Sequence, residues 1–309
     1  MSKLLTVFGA TGLQGGSVIK YILGHPELSK VFRLRGVTRD VFKASAQTLR
    51  EKGVEMVQAN LNDPPLLIKA VSGSDSVYAM TNCLYPFLPA SAAIEIAQGK
   101  AVADACVAAG VPQIIWSTLP NTTLMSKGEV RGAEHFDSKA EVEEYIRTLD
   151  IKSTFFMAGW LMQNNLGRSK PQFVSPGKYT WWWINLDPDT RIPLMDMRDV
   201  GKFISPALLD PELYDKKRLT CATRYYTLQE IADTWTKVTG KNVRLTQSAP
   251  SAWPVALQKR LQEMRGLYSV YAYFGPTGPT DLDWTLEQVT EKPTSWEQFV
   301  QDHEPWFEA

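Results

Sequence analysis

Along the first half of the chain, short apolar runs alternate with segments of helical spacing. Leu4–Phe8 is an apolar, β-rich run that predicts a buried strand, and after the glycines of Gly9–Gly16 helical spacing resumes over Ser17–Leu23. The scheme then repeats. Val31–Val37, Val54–Gln58, Ser76–Met80, Gln113–Trp116 and Lys152–Met157 read as further strands, and Ala44–Lys52, Pro64–Val71, roughly Ala90–Ala109 and Glu134–Leu149 as the helices between them. Strands alternating with helices imply βαβ units, hence an α/β fold with a doubly wound parallel sheet covered on both faces. Gly110 and Pro112 punctuate the turn into the fifth strand, as the end of a helix requires.

After about residue 165 the rhythm changes. Pro, Trp and Gly cluster over Pro171–Trp183, and no clean period holds as far as Pro193. Thr227-Leu-Gln-Glu230 is a capping box opening a helix that Gly240 ends, and Thr294-Ser-Trp-Glu297 reads as a second box before a terminal helix. The expected division is a core over residues 1–165 and a smaller mixed α+β region over 166–309. The second packs on the first without a flexible linker, as a lid or substrate wall.

Composition narrows the class. The 309 residues carry 33 Lys+Arg against 33 Asp+Glu, and this balance argues against direct nucleic-acid binding, which wants a basic face. His25, His135 and His303 lie far apart, so zinc-ligand spacing is absent and no metal is expected. Cys83, Cys106 and Cys221 form no CxxC, which favours a reduced setting. No run approaches the ~18 apolar residues of a spanning helix, and the MSKLLTVFGATG start lacks signal-peptide features. The expectation is a cytoplasmic protein away from membranes.

The candidate chemistry begins at Gly9-x-x-Gly12-x-x-Gly15, which joins a strand to a helix. Glycines there allow a tight turn, close approach of backbone to a pyrophosphate and close helix–sheet packing, while helix N–H groups hold the charge. The strand before and five more in alternation point to dinucleotide binding rather than a structural turn. The second strand ends Gly36-Val37-Thr38-Arg39, with Lys43 one turn on. Arg39 offers a planar fork and Lys43 a point charge for a 2′-phosphate, so NADP(H) is expected over NAD; the bland alternative is two solvated surface cations.

With these residues in view, the chain resembles the NmrA-like family of atypical short-chain dehydrogenases/reductases. The resemblance rests on GATGLQGGSV (9–18), VTRD (37–40), TN (81–82), HFDSKAEVEEY (135–145), GWLMQNNL (159–166) and MDMRDVGKF (195–203), and it is looser over the last hundred residues. It implies a Rossmann-type sheet and either an NADPH-dependent reductase, often of specialised metabolism, or an NADP(H)-binding redox regulator. By this resemblance Gly9, Thr11, Gly12, Leu13 and Gln14 hold the pyrophosphate together with Gly15, and Arg39 through Lys43 the 2′-phosphate. Asn60 and Leu61 flank the adenine. Thr81, Asn82 and Cys83 line the cofactor path, and Lys139 with Leu161 to Asn164 stands at the nicotinamide end. Asn60 departs from the Asp often found at the third strand's end, yet it can still hydrogen-bond adenine.

Hydride transfer to a carbonyl or imine needs a proton donor. Short-chain dehydrogenases use Ser and then Tyr-x-x-x-Lys on one helix face. Here His135 stands in the Tyr position, Lys139 remains, and Ser117 with Thr118 ends the fifth strand where the Ser belongs. Either His135 or Lys139 donates the proton, or catalysis is lost and Lys139 only holds the ribose, or His135 is a surface residue. Glu141, Glu143 and Glu144 read as a solvated face, Asp196 and Asp199 as caps of the helix over 201–209, and Cys83 as a small buried hydrophobe. Trp181, Trp182 and Trp183 cannot all face one core. With Trp160, Trp253, Tyr268, Tyr271 and Tyr273 they suggest an aromatic wall for a planar substrate, against the alternative of ordinary packing. The favoured expectation is an NADPH-dependent reductase of a C=O, C=N or activated C=C bond in a small, aromatic molecule. Its rival is a non-catalytic NADP(H) sensor that binds a protein such as a transcription factor, and a weaker rival is a scaffold without cofactor.

Overall fold

The computed structural model describes residues 2–81, 89–167, 169–183, 186–247 and 254–307. All six strands expected from the apolar runs form: β1 (Lys3–Phe8), β2 (Phe32–Thr38), β3 (Glu55–Gln58), β4 (Ser76–Ala79), β5 (Gln113–Thr118) and β6 (Lys152–Ala158). They pair in parallel in the order β3-β2-β1-β4-β5-β6. Every residue of β4 and β5 is buried, which is why these strands read as unbroken apolar runs rather than alternating ones.

The sheet has a seventh strand that the pattern did not announce. Arg218–Cys221 pairs in parallel with β6, Leu219 opposite Phe156. It is four residues long and is separated from β6 by a long stretch of mixed structure, so periodicity alone carries no signal for it. One face of the sheet is covered by the helices Leu13–Gly24 and Val200–Leu209. The other is covered by Pro64–Val71, Pro89–Ala108 and Glu134–Arg147. The second part of the chain therefore returns an edge strand and a helix to the main sheet.

Two small sheets build the rest. Trp160–Leu161, Arg191–Met195 and Arg224–Thr227 form one; Gln172–Ser175, Lys178–Trp182 and Asn242–Thr246 form the other. The stretch without clean period is thus a hairpin turning at Pro176-Gly177. A register shift between Phe173 and Ser175 breaks the two-residue alternation that would have marked it.

Thr227 and Glu230 cap each other reciprocally, and Gly240 closes that helix in the left-handed conformation. The second capping box does not form, and the helix is capped one residue later than expected, by a side chain without a reciprocal partner. Ser295, not Thr294, accepts from the Gln298 amide at 3.1 Å. Thr294 is already committed, giving its amide and its hydroxyl to the Asp199 carboxylate at 2.6 and 3.1 Å. Asp199 thereby anchors the C-terminal segment rather than capping the helix after it, whereas Asp196 caps the short turn Met197–Asp199 through the Arg198 amide. Among the described residues no helix is long and apolar enough to cross a membrane.

Candidate functional site

Strand order reverses between β1 and β4, which opens a crevice outside the carboxyl ends of these strands. The glycine turn lies at this point. Gly9 has φ +65°, and its carbonyl accepts from the Gly12 amide at 2.8 Å. A Cβ on Gly15 would stand 2.4 Å from the Phe8 carbonyl oxygen, so the helix can approach the strand this closely only without a side chain. The helix Leu13–Gly24 starts at Gly12 with no side-chain cap and no acidic residue in its first turn. Its first amides are left for an anion, which is what a pyrophosphate requires. Thr11 reaches toward Thr38 at the end of β2, Oγ1 to Oγ1 3.5 Å. Gln14 donates to Ser117 Oγ at 2.8 Å.

Beyond β2, Arg39 and Lys43 are exposed and neither has an ion-pair partner among the described residues. The nearby Asp40 carboxylate does not neutralise them; it accepts from the Phe42 amide at 2.9 Å within its own turn. An unpaired guanidinium and ammonium beside the glycine turn fit a phosphate monoester. Asn60 is exposed with Oδ1 accepting from the Asn62 amide, and Leu61 packs half-buried against the core on that side.

The centre of the site is built by two helices that meet at a glycine. On Pro89–Ala108, a Cβ at Gly99 would fall 2.6 Å from Val142 and 2.9 Å from Trp116, so the helix can lie this close to Glu134–Arg147 only with glycine there. One turn earlier on the same face stands Glu95, 1% exposed. Lys139 reaches it across the gap, Nζ to Oε1 2.6 Å, and also donates to Thr81 through its carbonyl (3.1 Å) and hydroxyl (3.2 Å). The Thr81 and Ser138 hydroxyls donate to the two carboxylate oxygens of Glu95. Trp116 fixes the helix from below through its indole N–H to the Lys139 carbonyl at 3.1 Å. Burial pushes the Glu95 carboxyl up, but the Lys139 charge and the hydrogen bonds from Lys139, Ser138 and Thr81 outweigh it. The group is held below the usual carboxylate range.

Thus Thr81, Lys139, Ser117 and the glycine turn share one edge of the sheet. Behind Ser117 the Tyr78 side chain is fully buried, its hydroxyl pushed well above its ordinary pKa by burial and partly relieved by Ser117. His135 stands one turn before Lys139, half-buried, its ring edge-on to Phe136 at 4.8 Å. Leu161 is half-buried in a short strand beside Met195, and Asn164 is exposed on the turn Met162–Leu166. That turn is oriented by Gln163, whose side chain donates to Asp196 (2.6 Å) and accepts from the Met197 amide (3.0 Å). Asn82, Cys83 and Trp253 lie outside the described residues.

Contrary to the expectation, the three tryptophans share one core: Trp181 and Trp183 are in contact with ring centroids 5.2 Å apart and Trp182 packs half-buried against the same cluster, because the strand ends at Trp182 and Trp183 leaves its alternation. Trp181 is wholly buried, bonded to Asn165 and packed on Trp235, while Trp183 is buried between Trp160 and Tyr268. Trp182 and Trp160 keep partial exposure. The acidic run is not a uniformly solvated face. Glu143 is fully buried because Arg147 (2.7 Å) and Arg218 (2.6 Å) clamp it, stapling the helix to the edge strand, whereas Glu141 pairs with Lys100 at the surface. Glu95 is the residue the sequence reading missed. Its signal was present: a lone acid on the apolar stripe of an Ala-rich helix, in line with Gly99, Val102 and Cys106.

Comparison with known proteins agrees with this picture of the fold. The NmrA-like family model matches residues 1–300. The NmrA-like family domain-containing oxidoreductase ptmS of Penicillium ochrochloron is 29% identical over 305 residues, covering 95% of this chain and 89% of that protein. Among solved structures, NmrA, a negative transcriptional regulator in complex with NADP, superposes with a TM-score of 0.81 at 22% identity, over 98% of this chain and 96% of its own. The Citrobacter sp. triphenylmethane reductase complexed with NADP(H) gives 0.73 at 19% identity, over 97% and 99%.

Proposed function

The chain belongs to the NmrA-like family, and on that premise we propose that it is an NADPH-dependent reductase acting on a C=O, C=N or activated C=C bond of a small aromatic molecule of specialised metabolism. The observation that carries the reading is the buried Glu95–Lys139–Thr81 network at the sheet edge that also holds the glycine turn. The oxidoreductase relative and the NADP(H) complexes of the structural neighbours support the same reading.

Bound NADPH supplies a hydride. The chain's residues do the rest. Gly9, Thr11, Gly12, Leu13, Gln14 and Gly15 hold the pyrophosphate, Arg39 and Lys43 the 2′-phosphate, and Asn60 with Leu61 the adenine. Thr81 lines the path, and Leu161 and Asn164 border the nicotinamide. Lys139 holds the ribose. Its ammonium donates to Glu95 and Thr81, and with the cofactor bound Lys139 would turn one of its Thr81 bonds to the ribose while Glu95 holds the side chain in place. The proton for the reduced substrate comes from Lys139, from His135 one turn away, or from water; Ser117, positioned by the Gln14 amide, contacts the reacting group. Trp160 and Trp182 border the substrate, with Trp181 and Trp183 behind them. Residues 1–165 serve the cofactor and 166–309 the substrate. We assign the protein to the cytoplasm, where free thiols such as Cys106 and Cys221 persist.

The test is loss of NADPH absorbance with a panel of aromatic ketones, imines and quinones. Turnover by the wild type and its loss in Lys139→Ala support the reading. No turnover with any member, together with a Lys139→Ala change confined to cofactor affinity, replaces it by a second reading. In that reading the protein is an NADP(H) sensor acting on a protein partner. The imidazole in the tyrosine position and the likeness to NmrA favour it, and a sensor discriminates NADP⁺ from NADPH in binding.

A further inference from the structure

A continuous series of aromatic rings links Trp160 to the helix that carries Lys139. Trp160, which follows β6, contacts Trp183 (ring centroids 4.8 Å), and Trp183 contacts Tyr268 (5.8 Å). Tyr268 contacts Tyr273 (6.0 Å), and Tyr273 meets Phe136 (5.5 Å), the neighbour of His135 on the Lys139 helix. One end of the series is a candidate substrate residue, and the other adjoins His135 on the Lys139 helix.

Polar atoms on this series lack partners. The Trp183 indole N–H is sealed and makes no hydrogen bond. Neither the Tyr268 nor the Tyr273 hydroxyl makes one among the described residues, although the side chains are only 7% and 5% exposed. The phenol oxygens are not among the sealed atoms, so the small exposed edge of each ring includes its hydroxyl. No protein group among the described residues competes for these two hydroxyls, so a ligand has only water to displace from them. The backbone beneath is also strained. Ala272 and Tyr273 are consecutive residues with φ 47° and 67°, held there by the Tyr273 amide on the Leu267 carbonyl and by the Tyr225 hydroxyl on the Ala272 carbonyl. Burial raises the pKa of both phenols, so at neutral pH they are protonated and able to donate.

We infer that Tyr268 and Tyr273 are the substrate-recognising residues of this site, their hydroxyls donating hydrogen bonds to the acceptor oxygen of a flat aromatic carbonyl compound that lies against the ring series. The inference rests on the reductase reading for the position of the substrate. It adds the chemical feature that is read: an oxygen acceptor on a planar ring. Phenol donors at the accessible edge of an otherwise apolar ring series favour such an oxygen over a plain hydrocarbon, and the edges of Trp160 and Tyr273 suit a planar body.

The experiment uses the NADP⁺-loaded protein and two probes of nearly equal shape, fluorenone and fluorene, with binding measured by equilibrium dialysis. Fluorenone is expected to bind about ten times more tightly than fluorene, the ratio one or two hydrogen bonds supply. In the Tyr268→Phe, Tyr273→Phe double variant fluorenone is expected to fall to the affinity of fluorene, with fluorene unchanged. Because the hydroxyls have no partner to lose, each Phe variant is expected to melt at or above the wild-type temperature. A preference for fluorenone that survives in the double variant, an absence of preference in the wild type, or lowered melting of the variants overturns the proposal. The two readings fail separately. Tyrosine-dependent preference without NADPH consumption keeps the recognition and removes the reductase. NADPH consumption with fluorenone at equal rates in the wild type and the double variant keeps the reductase and removes the recognition.

Discussion

Replacing Glu95 with Gln keeps the shape of a side chain that is 1% exposed and removes its charge. The carboxylate lies 2.6 Å from Lys139 Nζ. At an effective dielectric of about 20, the bare attraction over that distance is about 6 kcal/mol. Desolvation of two groups that stand almost out of water cancels much of it, yet removing one member of such a pair leaves the other charge buried, at a cost of about 3–5 kcal/mol. The amide can still accept from Ser138 or Thr81, so a loss of about 2–4 kcal/mol is expected, or roughly 3–6 °C in Tm for a chain of this length. The pH dependence gives the sharper check. Because the carboxyl is held below its ordinary value of 4.5, the pair contributes fully above that pH and loses its contribution as pH falls through the lower folded value. Scanning calorimetry of the two proteins is expected to show a constant gap between pH 6 and 8 that narrows below about 4.5. Equal melting at neutral pH, or a gap that persists into acid, refutes the reasoning.

Other substitutions probe the parts that bring this pair to the crevice. Gly99→Val places methyl groups where Val142 and Trp116 already stand, so the helices must separate; melting temperature and turnover are expected to fall together. Gly15→Ala puts a Cβ against the Phe8 and Gly9 carbonyls, which are backbone and cannot step aside, and calorimetric titration is expected to show NADPH affinity reduced more than about tenfold. Glu143→Gln loosens the two-arginine staple of the edge strand, and with Arg218 partly solvated the loss is expected at about 1–3 kcal/mol in urea unfolding, with cofactor affinity unchanged.

Much of the architecture was legible because buried parallel strands write themselves as apolar runs. Leu4–Phe8 and Gln113–Trp116 could be read from a single sequence, and so could the glycine turn, whose three positions each answer a different steric demand. Arg218–Cys221 could not. A four-residue edge strand takes its place from β6 beside it, not from its own pattern. The hairpin through Trp182 hid behind its bulge. Thr294 looked like a cap because its neighbours fit a box, but Asp199, 95 residues away, claims its hydroxyl. Glu95 shows the same limit at the site. Its partner Lys139 was recognised from the motif around it, whereas Glu95 acquires meaning only when Gly99 lets two distant helices touch. The pairing of Tyr268 with Tyr273 is likewise a product of the chain's return, since neither residue lies in a stretch with a readable period.

The central claim is that the crevice between β1 and β4 holds NADP(H) with Arg39 and Lys43 on the 2′-phosphate. Calorimetric titration of NADPH and NADH into the wild type and into Arg39→Ala tests it most directly. A charge-assisted pair predicts NADPH bound roughly 10- to 100-fold more tightly than NADH by the wild type, with most of that preference lost in the variant. Equal affinity for the two dinucleotides, or a preference that Arg39→Ala leaves intact, contradicts the account.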